Sequence, residues 1–253
     1  MTDFRQRVLA GETLIGAFSD LASPLAAELL GRAGMDWTVL DLEHGAATEA
    51  DLLSLLYAVA TTPMAAIVRP PSAERLRVGR ALDLGAAGIM LPQLQSIEQV
   101  REAVSFLRYP PVGVRGVALR TRGAGLGTLA HGEVAGIVNE RILGIVQIES
   151  AGAVAAADEI AAMDEVDVLF AGPADLSHAL GVPGRFDDPT YLEALRTVVA
   201  ATQRHGKAAG ILLYDATGFQ RHVELGFRFI GLGSEGSYVS AGAAAMLRAA
   251  GRT

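Results

Sequence analysis

The stretch Gly144-Ile145-Val146-Gln147-Ile148-Glu149-Ser150, "GIVQIES", alternates as a pleated strand does, with Gln147 and Glu149 on one face because they are two residues apart. Its apolar run stops on a carboxylate. The segment "VLFAGPADLS" (168–177) repeats the pattern: an apolar run, a Gly-Pro turn, then Asp175. Two strands that each deliver an acidic side chain where the run stops call for an architecture that brings strand ends together.

Working outward, strand signatures recur at 13–20, 37–45, 64–71, 87–93, 141–149, 167–173, 207–214 and 227–234. Helix signals alternate with them. Ser23-Pro24 offers a cap and a first-turn proline for a helix that stops at Gly34. Thr48, with Glu49 and Asp51 in the first turn, opens the next helix, and Ser72 caps one that runs to Gly85. Ser96 with Gln99 fits a capping box for a helix to about Leu107. Helices at about 152–163, 189–205, 215–225 and 236–250 follow the last four strands, and residues 1–12 read as a short helix closing the bottom.

No linker or low-complexity tract interrupts this alternation. Strands buried on both faces belong to a parallel sheet covered by helices. Eight βα units therefore predict a single α/β domain over residues 1–253, a (β/α)8 TIM barrel, whose typical length is ~250 residues. A doubly wound open sheet is the competitor, and the count of eight favours the barrel. Chemistry on such barrels gathers at the C-terminal strand ends, where Glu149 and Asp175 fall on adjacent strands.

Composition narrows the function. The chain is 51 % hydrophobic, enough for one large core. A net charge of -7 argues against a nucleic-acid partner, which calls for a basic face. The absence of cysteine excludes disulfides, thiolate metal sites and a cysteine nucleophile. The first residues, "MTDFRQRVLAGETL", carry charges and no long apolar core, so no signal peptide is expected, and no apolar run long enough for a membrane span occurs. A cytoplasmic protein without membrane partners is the expectation.

The strand ends supply a short polar inventory: Asp41, Glu43 and His44 after strand two, Arg69 after three, Gln93 after four, Gln147 and Glu149 on five, and Asp175 after six. Each has a bland alternative. Asp175 reads equally as a helix cap, Arg69 as a salt-bridged surface group, His44 as a satisfied hydrogen-bonder and Gln147 as a partner for backbone groups. Their placement on one end of the barrel favours a site, since charges at buried strand ends are costly unless paired or metal-bound. His131, His205 and His222 lie away from the strand ends and read as structural or solvated, while His178 stays a minor candidate.

Two convergent carboxylates repel unless one takes a proton or a cation sits between them. Oxygen ligands without cysteine favour Mg²⁺ or Mn²⁺, with Co²⁺ or Zn²⁺ possible. Two protein carboxylates leave positions open for a chelating substrate such as a 2-oxo acid. Arg69 would place positive charge where an enolate builds up. The Gly172–Asp175 turn would offer backbone N–H groups to the substrate carboxylate. His44, paired with Asp41 three residues earlier, would handle protons near neutrality.

The motifs "LDLEHG" (40–45), "VRPP" (68–71), "LDLGAAGIMLPQ" (82–93), "YPPVGVRGVA" (109–118), "VQIES" (146–150) and "FAGPADLS" (170–177) together resemble the HpcH/HpaI family of metal-dependent class II pyruvate aldolases, over nearly the whole chain. The resemblance implies Glu149 and Asp175 as metal ligands, Arg69 as the group steadying a pyruvate enolate, and His44, held by Asp41, as the acid–base residue. It implies Gln147 with the backbone of Gly172 and Ala174 as donor-binding groups. It also implies a barrel with a domain-swapped last helix, a homohexamer built as a trimer of dimers, and Asp83 reaching the neighbouring subunit's site. Phe18 stands where members often carry Trp, on the aldehyde side of the pocket, and Leu212 matches another wall residue.

The expected reaction is reversible cleavage of a 4-hydroxy-2-oxo acid to pyruvate or hydroxypyruvate plus an aldehyde. 2-Dehydro-3-deoxyglucarate aldolase differs only in substrate. A lysine Schiff base is a poor alternative, because the only lysine, Lys207, falls at the start of strand seven, on the stability face. A citrate-lyase-β-like cleavage of an acyl-CoA ester is a second reading, with Arg115, Arg120 and Arg122 in the long loop as phosphate partners. A non-catalytic oxo-acid-binding barrel is the third.

Overall fold

The computed structural model describes residues 4–252, and in it all eight strands form inside the segments predicted for them. In chain order they run as α1 (Phe4–Leu9), β1 (Leu14–Ser19), α2 (Pro24–Arg32), β2 (Trp37–Asp41), α3 (Leu52–Val59) and β3 (Ala65–Arg69). Next come α4 (Arg75–Asp83), β4 (Gly88–Leu91), α5 (Ile97–Ser105), α6 (Val134–Arg141), β5 (Leu143–Ile148), α7 (Ala151–Ala155), α8 (Ala157–Ala161) and β6 (Val168–Ala171). The chain ends with α9 (Pro173–Ala179), α10 (Pro189–Arg204), β7 (Ala208–Leu213), α11 (Phe219–Leu225), β8 (Phe227–Ser234) and α12 (Glu235–Ala249). Each strand pairs in parallel with its sequence neighbours, and β8 closes on β1, so the sheet is a closed barrel and the open-sheet alternative is excluded.

Side chains alternate between two layers. Odd-numbered residues of β2, β3 and β5 point into the barrel and even-numbered ones out to the helices, as the two-residue period dictates. The interior is packed: Trp37 stacks on Phe229 with ring centroids 4.0 Å apart, and Phe170 meets both edge-on. Gly16 of β1 is required there, because a Cβ would overlap the Trp37 indole. Below this plug α1 covers the N-terminal end, as expected. Phe4 packs against Phe229, and Arg5 pairs with the fully buried Asp167 at 2.8 Å.

Two cap expectations are corrected. Thr48 does not cap α3. Instead the Asp51 carboxylate accepts bonds from its backbone N–H (2.8 Å) and hydroxyl (2.7 Å), and the helix begins at Leu52. Ser72 does not cap α4, which starts three residues later behind Glu74, and the buried Ser72 hydroxyl has no partner among the described residues. The caps at Ser23 and Ser96 form, each accepting at 3.3 Å from the backbone N–H three residues on. The segment predicted as one helix over 152–163 is two, meeting at Ala156.

Candidate active site

The inward-facing rows of three strands turn from apolar to polar at their C-terminal ends. Trp37 and Val39 lead to Asp41, Ala65 and Ile67 to Arg69, and Leu143 and Ile145 to Gln147 and then Glu149. These ends open into a cavity of about 240 Å³ on the C-terminal rim. Its lining includes Phe18, Asp41, His44, Arg69, Gln147, Glu149, Gly172, Ala174, Asp175 and Leu212. Every predicted site residue except Asp83 is therefore brought together.

Asp83 sits at the far end of α4, outside the cavity, and is paired with the buried Arg115 at 2.8 Å. Arg115 itself lies over the Tyr109 ring, 4.3 Å from its centroid. Arg122 donates to the Leu84 carbonyl at 3.1 Å and lies over Tyr57. Both arginines are thus tied to the C-terminal end of α4, which leads into the start of β4 on the opposite rim from the cavity.

Arg69 is the electrostatic centre of the site. Its guanidinium grips Asp41 with two parallel bonds, Nε–Oδ1 at 2.9 Å and Nη2–Oδ2 at 2.7 Å, and its third nitrogen lies 3.2 Å from Glu43 Oε2. Phe18 covers it, 5.1 Å from ring centroid to guanidinium carbon. Burial alone would push the Asp41 carboxyl up, but the bonds and charge of Arg69, with the backbone N–H groups of Glu43 and His44, hold it below its ordinary range. One expectation is corrected here: Asp41 reaches His44 only at its backbone N–H (3.3 Å), not at the imidazole. The His44 side chain is 63 % exposed at the cavity mouth, with Nε2 3.9 Å from Glu43.

Glu149 behaves differently. Its carboxyl is pushed up to about 7, first by burial and then by the charge of Asp175, against the opposing pull of Arg69 and a backbone bond from Gln93. Gln147 donates to Glu149 Oε1 at 2.5 Å, while its own buried carbonyl oxygen has no partner among the described residues. Gly172 makes room for this carboxylate, since a Cβ there would lie 3.0 Å from Glu149 Cγ and Oε1. The Gly172 N–H reaches Ile148 O at 3.4 Å, a long bond, and its backbone lines the cavity. The first turn of α9 leaves the N–H groups of Ala174 and Asp175 facing the rim without intrahelical acceptors.

Gln93 carries more of the site than its rim position suggested. Its side chain donates to Glu43 Oε1 at 2.6 Å and its backbone N–H to Glu149 Oε2 at 3.3 Å, so it links the carboxylate facing Arg69 to the one facing Asp175. It does so from a left-handed backbone conformation, φ 54°, that non-glycine residues rarely adopt. Their spacing gives Glu43 and Gln93 a place on the rim but no role, because nothing in it reveals that the loops after β2 and β4 meet.

The donor set suits a hard cation. Among the described residues no three His, Cys, Asp or Glu side chains form a metal-holding group, but Glu149 and Asp175 face one cavity, and burial together with the charge of Asp175 raises the Glu149 carboxyl. A divalent ion with two protein carboxylates and otherwise water or substrate oxygens fits this arrangement.

Comparison with known proteins agrees with the geometry. Residues 14–241 match the family described as HpcH/HpaI aldolase/citrate lyase. The chain is 37 % identical over 232 residues to 5-keto-4-deoxy-D-glucarate aldolase of Klebsiella pneumoniae, covering 92 % of this chain and 90 % of that one. It is 35 % identical over 233 residues to hydroxypyruvate/pyruvate aldolase of Agrobacterium fabrum, covering 92 % and 87 %. Its fold superposes on a HpcH/HpaI aldolase/citrate lyase family protein of Burkholderia cenocepacia with TM-score 0.91 and 35 % identity, over 97 % of this chain and 98 % of that one. A packed eight-stranded barrel, a polar constellation on its C-terminal rim and this extent of similarity place the chain in the HpcH/HpaI aldolase/citrate lyase family, as an enzyme of the aldolase type.

Proposed function

We propose that this enzyme is a metal-dependent aldolase that reversibly cleaves a 4-hydroxy-2-oxo acid to pyruvate or hydroxypyruvate and an aldehyde. The observation that carries this reading is the convergence of Arg69, His44, Gln147, Glu149 and Asp175 on one cavity. Glu149 and Asp175 would hold the cation, Mg²⁺ or Mn²⁺ by their hard oxygen character, with Co²⁺ or Zn²⁺ admissible. When bound, the cation supplies Lewis-acid polarisation of the donor's carboxylate and ketone oxygens.

The chain's own residues do the rest. Arg69, fixed by Asp41 and Glu43, presents positive charge where negative charge builds on the donor's ketone oxygen, and being fixed beforehand it need not reorganise. Gln147 and the backbone of Gly172 and Ala174 orient the donor. His44 moves protons at the cavity mouth, between the 4-hydroxyl of the substrate and solvent. Phe18 and Leu212 wall the acceptor side.

The acyl-CoA reading is weakened at two of its three loop arginines, because Arg115 and Arg122 are engaged on the opposite rim, while Arg120 is exposed. Two features favour the proposed assembly from several copies with α12 exchanged between them. Of the fifteen residues of α12 only Glu235 is buried, and Val239, Met246 and Leu247 are exposed. Asp83 would then approach a neighbour's site from the outside. Light scattering on the purified protein tests this, and a monomer would overturn it.

Exchange of the pyruvate methyl protons into D₂O, followed by NMR, tests the chemistry. Exchange that EDTA stops and Mg²⁺ or Mn²⁺ restores is the expected result. Absence of exchange with every cation, and with hydroxypyruvate as donor, would remove the aldolase reading.

A further inference from the structure

A second cavity, of about 340 Å³, opens beside the candidate active site. Pro173, Leu212 and Tyr214 line both, so the two compartments share a wall. One side of the second is built from aromatic and aliphatic groups. Phe186 stands between Tyr191 and Tyr214, with ring centroids 5.6 and 5.7 Å away, and Ile211 and Leu213 from the helix-facing side of β7 lie beside them. None of these contacts is used by the donor chemistry.

Its charged groups are biased against anions. Arg221 is already paired with Asp187, the Nδ1 of His222 is engaged by the Gly218 carbonyl at 2.7 Å, and Asp215 adds a further negative charge that accepts from Thr217. In the active cavity Asp20 adds a further carboxylate, Arg69 is held by Asp41 and Glu43, and a cation on Glu149 and Asp175 would be taken up by the donor's own oxygens. A carboxylate at the far end of an aldehyde would meet acidic side chains and apolar walls, and would lose its hydration without a partner. An uncharged chain would meet three aromatic rings and two aliphatic residues.

We infer that this crevice receives the tail of the acceptor, and that the preferred acceptor is a neutral aldehyde bearing an alkyl or aryl chain rather than an acid semialdehyde. The inference rests on the aldolase reading above and specifies its substrate class. The step is balanced without a further reactant: the donor's methyl carbon loses a proton and bonds to the aldehyde carbon, and the aldehyde oxygen takes a proton. In the cleavage direction the same bonds break in reverse. Burial of the chain in the crevice adds roughly fourfold per CH₂ to kcat/KM.

The test compares pentanal, succinic semialdehyde and acetaldehyde with pyruvate as donor and Mg²⁺ or Mn²⁺ present, in the wild type and in Phe186→Ala and Phe186→Arg. Phe186 lines the crevice and not the active cavity. The wild type is expected to prefer pentanal over succinic semialdehyde by about tenfold or more, a discrimination within reach of one pocket. Phe186→Ala should lose most of the pentanal advantage, and Phe186→Arg should reverse the preference, while acetaldehyde turnover and pyruvate proton exchange stay unchanged in both. A wild type that prefers the semialdehyde, or variants that exchange protons normally and keep the wild-type ratio, would overturn the crevice assignment and leave the aldolase reading standing. Loss of exchange in the wild type itself would overturn both.

Discussion

Asp41 and Arg69 are direct register partners across β2 and β3, and their side chains meet in a two-point ion pair with bonds of 2.9 and 2.7 Å. Residues opposite each other in a parallel pair sit on the same face, so both project into the barrel at the same height. The guanidinium that lines the cavity is thereby fixed by the fold itself. Glu43 supports it from the loop just beyond, and Phe18 covers its plane.

Arg69→Lys should retain the charge and lose the fork, because one ammonium cannot make two parallel bonds to Asp41. Steady-state kinetics should show kcat reduced by about 100-fold, the scale of losing one pre-set donor to a developing oxyanion. Asp41→Ala should also destabilise the fold by about 3 kcal/mol in urea titration, since a buried guanidinium loses its main partner. An Asp41→Ala protein with unchanged stability and unchanged turnover would show that Arg69 does not depend on Asp41.

Glu149 gives a pH signature to the metal-free protein. Its folded carboxyl titrates near 7, above the ordinary carboxylate value, so the folded state holds this proton more tightly than the unfolded chain. Its contribution to stability is therefore present at low pH and is lost as pH rises from about 4.5 through 7. In EDTA, Glu149→Gln should flatten that slope and be more stable than wild type at pH 8, by about 2 kcal/mol, while losing activity. The same titration predicts that cation affinity falls below pH 7, where protons compete for the ligand.

Gly172→Ala should weaken cation binding without unfolding the protein. The backbone at Gly172, φ -85°, is open to any residue, so the change acts only through the added methyl, 3.0 Å from Glu149 Cγ and Oε1. A fall of about tenfold in Mn²⁺ affinity, read by calorimetry, is expected from displacing one ligand's carboxylate. Unchanged affinity would mean that Glu149 has room to move aside.

His44→Ala should slow pyruvate proton exchange or aldol turnover by about 100-fold, the usual share of a single acid–base group. Cation affinity should be kept, because His44 stands at the mouth and contacts neither Glu149 nor Asp175 in the hydrogen-bond network. Loss of cation binding in this variant would make His44 a ligand.

Lys207→Ala should keep its turnover. Lys207 precedes β7 and donates to the Met163 carbonyl at 3.2 Å, at the end of the barrel opposite the cavity. Trapping with borohydride in the presence of pyruvate should label neither protein, and a covalent adduct at Lys207 would replace the metal mechanism with a Schiff base.

Strand identity and site location were legible along the chain because both follow from a local period. A strand buried on two faces must be apolar, so an Asp, Arg, Gln or Glu at its C-terminal end stands out. Eight repeats of such a pattern leave few ways to close a sheet. Helix starts were less legible: Thr48 and Ser72 carry cap chemistry, yet Asp51 takes the Thr48 donors and α4 begins after Glu74, because loop geometry settles which donor meets which acceptor. The partner of each polar residue was likewise a tertiary matter. Asp41 was expected to hold the imidazole of His44 three residues away, but strand register brings Arg69 closer than local sequence does. Gln93 bridging Glu43 to Glu149, and the Phe186 crevice beside Leu212, join residues that lie far apart in the chain. Periodicity along one strand fixes which way a side chain points, and only closure of the barrel decides what it meets.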